Sequence, residues 1–559
     1  MEKERSLWNY STKAGWIAGI VLLYVGAIGM LAIFSERELV RNLVGLGQVL
    51  LVAPAFVAGL MIAQRAKIIS AQSSWAAIPA SFWAAVLCAI PTLLVLLLGQ
   101  VIDYQNMFIS LNKDWREVIT LGQENLGLGV VYLVLTLVIA AVVAVLLSML
   151  PKRLRQALSF GTTLSLLIAL FGETVTLILK ENLPRDTMDM LFRRSTIKQG
   201  PFFILWAIAT GLGLMRAYLG EGIRKHYAAM PSGFRTTGFI VWQVIILAFL
   251  ISLPWLIGRT LSDILVTVGI YVLMGLGLNI AIGLAGLLDL GYVTNYAVGA
   301  YALALLTTTS SLNIATGVFN FWLVIPVAIL LAMFAGFIFA LPVLKMRGDY
   351  LAIATLGFGE IIGKLAISDW LKPYIGGAQG VLFIPKPNFF GIELKNPEQL
   401  YYLVLIACLV TVFVSIRLNN SRIGRQWMAI REDEDVAAAM GIDTARSKLL
   451  AFTISAATGG LAGAIFAAKV GTVFPKSFIV LVSINVLSLI IVGGMGSNIG
   501  IILGAFALIG LPELLREFSE FRWLLYGVLL IFMMLRKPEG FIPSKVSQRE
   551  NSLEGSVVP

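Results

Sequence analysis

The chain has 559 residues, 58% of them hydrophobic and 13% charged, with a mean hydropathy of +0.88. Apolar runs of about 20 residues, the length that crosses hydrocarbon, recur from end to end, which excludes a water-soluble enzyme and a secreted disulfide scaffold. The 42 Lys+Arg exceed the 31 Asp+Glu to give a net charge of +11, but the basic residues are scattered through loops rather than gathered in a stripe. That pattern points to an anionic membrane surface and away from nucleic acid.

In chain order, a charged start at 1–13 precedes an apolar run at 14–34 with no small-residue cleavage site, so this helix is expected to be retained. Further runs follow at 43–63, 74–98, 127–150, 157–180, 200–218, 237–257, 261–283, 288–310, 322–344, 350–368, 400–417, 449–469, 479–496, 499–512 and 523–535. Lipid offers no partner to backbone N–H and C=O groups, so each lipid-facing run is predicted to be helical, and the short ones must shelter among neighbours or line a cavity. The expected fold class is an all-α polytopic membrane protein, a helical bundle with broken and short Gly-rich helices. Three regions are expected: a membrane extension over 1–236, a core over 237–540 with a charged loop at 419–448, and a polar tail at 541–559. A cytoplasmic N-terminus puts 24 of the 42 Lys+Arg in inner loops and the C-terminus inside as well; the basic 180–200 loop violates this rule.

From about residue 260 glycines crowd into the apolar runs themselves. Gly275, Gly277, Gly283 and Gly286, then Gly459, Gly460 and Gly463, recur at spacings of one to six, where plain helix packing accounts for most of them. Packing explains less well Gly357 and Gly359 beside Glu360, or Gly493-Gly494-Met495-Gly496. Both stretches are expected to be unwound or kinked, and broken helices in transporters commonly border the substrate path.

Nothing clusters as catalysis requires. His226 lies alone in a basic loop and reads as a solvated or headgroup-facing residue, Cys88 and Cys408 lack metal or redox spacing, and no G-x-x-x-x-G-K-[ST] occurs. The chain is therefore expected to be no enzyme, to hold no metal and to bind no cofactor. Charges at membrane depth are costly, by about 2.5–3.5 kcal/mol each on insertion scales, which singles out Glu173, Asp263, Asp289 and Glu360. Asp263 is expected at a span's mouth and Glu173 against a neighbouring helix. Asp289 sits in the hinge 286–291, between runs that carry Asn279 and Asn295; with Gly357, Gly359 and Glu360 these are the candidate path residues.

The loop 419–448 carries Arg431, Glu432, Asp433, Glu434 and Asp435 before Val436, Ala437 and, further on, Gly441. Acidic residues suit the N-terminus of a helix and glycine its end, so one short helix is predicted, with a slim alanine face able to enter a cleft on another protein. A merely solvated loop is the plain alternative.

The stretch GLNIAIGLAGLLDLGYVTNYAVGAYALALL at 277–306 resembles the membrane subunit of branched-chain amino acid ABC importers, the LivM type. So do LKMRGDYLAIATLGFGEII at 344–362, the segment from GRQWMAIREDEDVAAAMGIDTARSKLL onward at 424–468, and IIVGGMGSNIGIILGAFALIGLPELLREF at 490–518. The resemblance implies a permease for leucine, isoleucine and valine in the bacterial inner membrane, with ATP and Mg held by two ATPase subunits. It also implies a second, similar permease and an extracytoplasmic amino-acid-binding protein. The coupling loop of ABC importers reads E-A-A, three residues, then G. Here Asp435-Val436-Ala437 with Gly441 keeps the spacing and alters two letters, and the following I-x-L-P is absent. The coupling role is carried onto Arg431 to Gly441 on that basis. The first 236 residues resemble the family poorly. The rival from another class is an ion-coupled secondary transporter of a small polar solute that uses Asp289 or Glu360, against which the 424–441 loop argues.

Overall fold

The computed structural model describes residues 2–69, 75–99, 101, 108, 110–229, 232–309, 312, 319–344, 346, 348–389, 391–518, 521–537 and 539–543. Most of the expected tail at 541–559 lies outside them, as does the His226 side chain. The chain falls into two compact units, Met1–Ile246 and Leu247–Pro559, and the fold is an all-α polytopic membrane protein. Among the described residues ten helices are long and apolar enough to cross a membrane, or eleven if one bent pair counts as a single span, fewer than the apolar runs suggest.

The reasons are local. Run 14–34 divides where α1 (Glu2–Ala27) ends before Gly29, whose φ of 81° belongs to the left-handed region. Run 157–180 is bent by 74° between α5 (Lys152–Leu170) and α6 (Gly172–Asn182). Runs 237–257 and 261–283 lie in one long helix, α8 (Ser232–Asn279), whose backbone leaves helical geometry at Gly258 (φ 75°, ψ −174°). Runs 288–310, 499–512 and 523–535 form helices too short to span alone.

In the first unit α1 packs against α2 (Leu46–Ile69) and α3 (Ala77–Leu98), and α4 (Leu126–Met149) packs against both of these. Small residues set the spacing: a methyl group on Gly15 would lie 2.6 Å from the Ala84 carbonyl oxygen, and one on Gly19 2.8 Å from that of Cys88. Such backbone approach replaces the hydrophobic drive that lipid does not supply. The pair α5 and α7 (Gln199–Ala229) closes in the same way, with a methyl group on Gly213 only 2.9 Å from the Ala157 Cα. Four strands of two or three residues, β1 (Glu38–Val40), β2 (Val44–Gly45), β3 (Phe192–Arg193) and β4 (Thr196–Ile197), form a small sheet in the order β2-β1-β4-β3. Glu173 is exposed in the first turn of α6, where the helix dipole favours a carboxylate, and among the described residues it forms no ion pair with a neighbouring helix.

The second unit is built on α9 (Tyr292–Thr307), α10 (Phe321–Val343) and α15 (Thr444–Val470). Around them stand α11 (Asp349–Ile367), α12 (Pro397–Asn419), α16 (Val480–Gly493), α17 (Asn498–Ala505) and α18 (Phe521–Arg536). The α9–α15 crossing is so close that a methyl group on Gly299 would overlap the Gly460 carbonyl, and one on Gly463 the Tyr296 carbonyl. Between α12 and α15 the loop folds as α13 (Arg422–Glu432) and α14 (Glu434–Ala439). Asp263 is half in solvent and pairs with Lys469 at 3.1 Å, while Arg259 reaches Glu398 at 3.5 Å.

Candidate functional site

Two broken helices meet in the second unit. The α8 helix loosens into a π-helical turn at Ile280–Leu284, and the chain is non-helical from Ala285 to Gly291, with Gly286 at φ 72°. Buried backbone donors in such a break need partners. Gly286 N and Leu287 N donate back to the Ile282 and Ala281 carbonyls. Leu290 N donates to Thr355 Oγ1, Gly291 N to Asp289 Oδ1 and Val293 N to Ser483 Oγ, each at 3.0 Å. The second break, Gly494–Ser497, follows α16 with Gly494 at φ 117° and Gly496 at φ 79°. Asn279 joins the two: its Oδ1 accepts from Gly496 N at 2.8 Å. Phe541 N and Ile542 N, beyond α18, donate to the Val492 and Gly493 carbonyls and close this end of the break.

The candidate path residues divide between two places. Asp289 and Asn295, 4% and 5% exposed, line a cavity of about 20 Å³ with Gly291, Thr294, Gly336, Phe339, Thr355, Phe358 and Phe452. That volume suits about one water molecule and is far too small for an amino acid. The α11 helix runs unbroken from Asp349 to Ile367, so the kink expected at Gly357 and Gly359 is absent. Its helical hydrogen bonds cost less to keep than to break in a membrane. Gly359 lies on the packed side, where a methyl group would be 3.7 Å from Gly291 Cα; Gly357 faces open space. Glu360 is exposed and does not line the cavity that holds Asp289.

The loop contains two helices rather than the single one predicted. Asp433 (φ −156°, ψ 115°) breaks the chain between α13 and α14, and its carboxylate accepts from Asp435 N and Val436 N at 2.9 Å. Gly441, at φ 86°, ends α14, with Ile442 N donating to the Ala437 carbonyl at 3.1 Å. Ala437 is buried, whereas Ala438 and Ala439 are exposed beside Val436 and Met440, the latter 80% exposed; the knob therefore joins two of the three alanines to two larger apolar side chains, because successive helical residues turn to different sides. Glu432, Asp433 and Asp435 remain at the surface.

Three links tie the knob to the core. Arg431 Nη1 donates to the Gly283 carbonyl in the π-helical turn at 2.7 Å. Lys448 Nζ, with a 4% exposed side chain, pairs with Glu434 Oε1 at 2.6 Å. Trp427 is fully buried, and its Nε1 donates to the Ser447 carbonyl at 2.8 Å. Sequence reasoning missed Trp427, Lys448, Thr355 and Ser483. A tryptophan on the apolar side of the otherwise charged segment 422–432 was the one available signal; the hydroxyl partners lie 65 and 190 residues from the donors they serve.

A family model described as the branched-chain amino acid transport system / permease component matches residues 260–535. The high-affinity branched-chain amino acid transport system permease protein LivM of Escherichia coli strain K12 is 41% identical over 326 residues, covering 54% of this chain and 75% of the relative. Its Salmonella typhimurium counterpart is 40% identical over 321 residues, covering 53% and 73%. The E. coli permease protein LivH is 24% identical over 295 residues, covering 49% of this chain and 91% of the relative. No solved structure matches. The region that carries both broken helices, the buried Asp289–Asn295 cavity and the anchored knob is thus the matched region, and the chain belongs to the permease components of branched-chain amino acid transport systems.

Proposed function

We propose that this chain is the permease subunit of an ATP-driven importer that carries leucine, isoleucine and valine across the bacterial inner membrane. A second, similar permease completes the path, two separate ATPase subunits bind ATP and Mg, and an extracytoplasmic binding protein delivers the amino acid. Both termini and the α13–α14 loop face the cytoplasm. The observation that carries this reading is the strut from the exposed Val436–Met440 knob through Arg431 to the Gly283 carbonyl. A push on the knob is delivered to the π-helical turn, where a helix already lacks regular hydrogen bonds and yields most easily.

In this mechanism Arg431 to Gly441 couple, with Val436 and Met440 entering the ATPase cleft and Ala437, Glu434 and Arg431 anchoring them. The buried Asp289, Asn295 and Asn279 hold the broken helices that move, and the open face of α11, with Gly357 and Glu360, borders the path while Gly359 packs it against α9. Driving such an equilibrium from 1:99 to 99:1 needs about 5.5 kcal/mol of differential binding, so the knob must fit its cleft tightly in one state and loosely in the other.

The test is leucine uptake into vesicles that hold the assembled complex, with ATP inside and binding protein outside. Met440→Asp, which places a charge on the exposed knob without touching its anchors, is expected to abolish uptake while the complex remains assembled. Unchanged uptake overturns the coupling role. Concentrative uptake by the chain alone along an ion gradient overturns the ATP-driven reading.

A further inference from the structure

The cavity beside the first break is lined by acceptors with capacity to spare: Asp289 and Thr355 each receive one backbone N–H, and Asn295 Oδ1 receives none. Asp289 is almost fully buried, and among the described residues its carboxylate accepts one hydrogen bond, from Gly291 N to Oδ1. Among the described residues no lysine or arginine forms an ion pair with it. Asn295 Oδ1 is buried without a hydrogen-bond partner and is aimed at the Gly336 wall of the same cavity, where a methyl group would stand 3.5 Å from it. The Thr355 hydroxyl donates to the Ala352 carbonyl and accepts from Leu290 N, which leaves it acceptor capacity alone. Thr294 adds a second hydroxyl, and Phe339, Phe358 and Phe452 form the rest of the wall.

A buried carboxylate without a counter-charge is costly by several kcal/mol, and a buried amide oxygen without a donor adds to this. The occupant that answers both is electropositive. An all-oxygen donor set selects a hard cation, and a single carboxylate without sulfur or imidazole ligands argues against calcium and zinc. The volume admits one body of about the size of water.

We infer that the cavity between Asp289 and Asn295 binds one small monovalent cation of sodium's size, held by the Asp289 carboxylate, the Asn295 amide oxygen and the threonine hydroxyls. The ion fastens the 285–291 break to α9 and α11. It is a fixed part of the fold and not a transported coupling ion, so the site is independent of which solute the permease carries.

The experiment is thermal unfolding of the purified full-length chain in detergent, with sodium chloride titrated against choline chloride at constant ionic strength. The unfolding midpoint is expected to rise and saturate with sodium, as binding to the folded state alone requires. Asp289→Asn is expected to remove the saturable rise. Asn295→Leu is expected to raise the half-saturating sodium concentration about tenfold, the size of one lost polar contact to a charge. Should Asp289→Asn fail to fold, lithium, sodium, potassium and caesium are compared on the unsubstituted chain, where a response that peaks at the small ions supports the site. Equal responses to caesium and sodium overturn it, as does a saturable rise that survives in Asp289→Asn. A wild-type chain indifferent to sodium also overturns it and leaves a protonated carboxyl or a bridging water in the cavity.

Discussion

Removing the Glu434 carboxylate tests the anchored knob most sharply. In Glu434→Ala the Lys448 ammonium, 4% exposed, loses the carboxylate that stands 2.6 Å away. Losing one partner of a buried pair costs about 3–5 kcal/mol, and the low end applies because 21% of the Glu434 side chain is in solvent. The first turn of α14 also loses an acidic group favoured by the helix dipole, worth about 0.5 kcal/mol. A loss of about 3 kcal/mol is about a 150-fold rise in the population in which α14 is detached. Amide hydrogen exchange reads this at Met440 and Ile442, whose N–H groups donate to Val436 and Ala437. Exchange there should accelerate by about that factor, with leucine uptake falling in parallel. The pair is asymmetric: Lys448→Met removes the buried ammonium and leaves a carboxylate that water can reach, so it should be the milder change. In the double variant Lys448→Met should rescue part of the Glu434→Ala defect. The reasoning is refuted if exchange in Glu434→Ala matches the unsubstituted chain, or if Lys448→Met is equally damaging and gives no rescue.

Three further changes address neighbouring links. Arg431→Ala removes the charged hydrogen bond to the Gly283 carbonyl, about 1.5–3 kcal/mol; uptake should drop while the complex stays assembled, and purification of an intact but fully active complex would count against the strut. Trp427→Phe stays aromatic but is smaller, leaving a void at a fully buried site and the Ser447 carbonyl without its 2.8 Å donor, so the unfolding midpoint should fall by the equivalent of at least about 1–3 kcal/mol, and no fall would show that the bond is dispensable. Gly463→Ala drives a methyl group into the Tyr296 backbone carbonyl, which no rotamer change relieves. A destabilisation of about 3 kcal/mol, the upper end for overpacking, should appear as loss of the monodisperse chain in size-exclusion chromatography, and normal behaviour would contradict so close a crossing.

The glycines show where the sequence was legible and where it was not. Gly493–Gly496 announced a break because two of its residues take a φ that side chains avoid, and consecutive glycines make that conformation cheap. Gly357 and Gly359 looked similar, yet α11 is continuous, since a glycine permits unwinding but does not require it. What unwinding requires is a replacement partner for every freed donor, for in hydrocarbon each orphan costs several kcal/mol. At 285–291 and the first turn of α9 those partners are the hydroxyls of Thr355 and Ser483 and the carboxylate of Asp289; two of the three come from distant segments, so periodicity cannot reveal them. The same limit governed the coupling loop. Its caps, Asp433 and Gly441, act within a few residues and were readable. The burial of Ala437, and with it the exposure of Val436 and Met440, is set where α13 and α14 pack on α15, the packing that also pairs Lys448 with Glu434 and Trp427 with the Ser447 carbonyl. A break in a membrane helix is thus fixed less by the glycines that permit it than by the polar side chains that receive its backbone, and the residues that satisfy a break are the ones that let it move without unfolding.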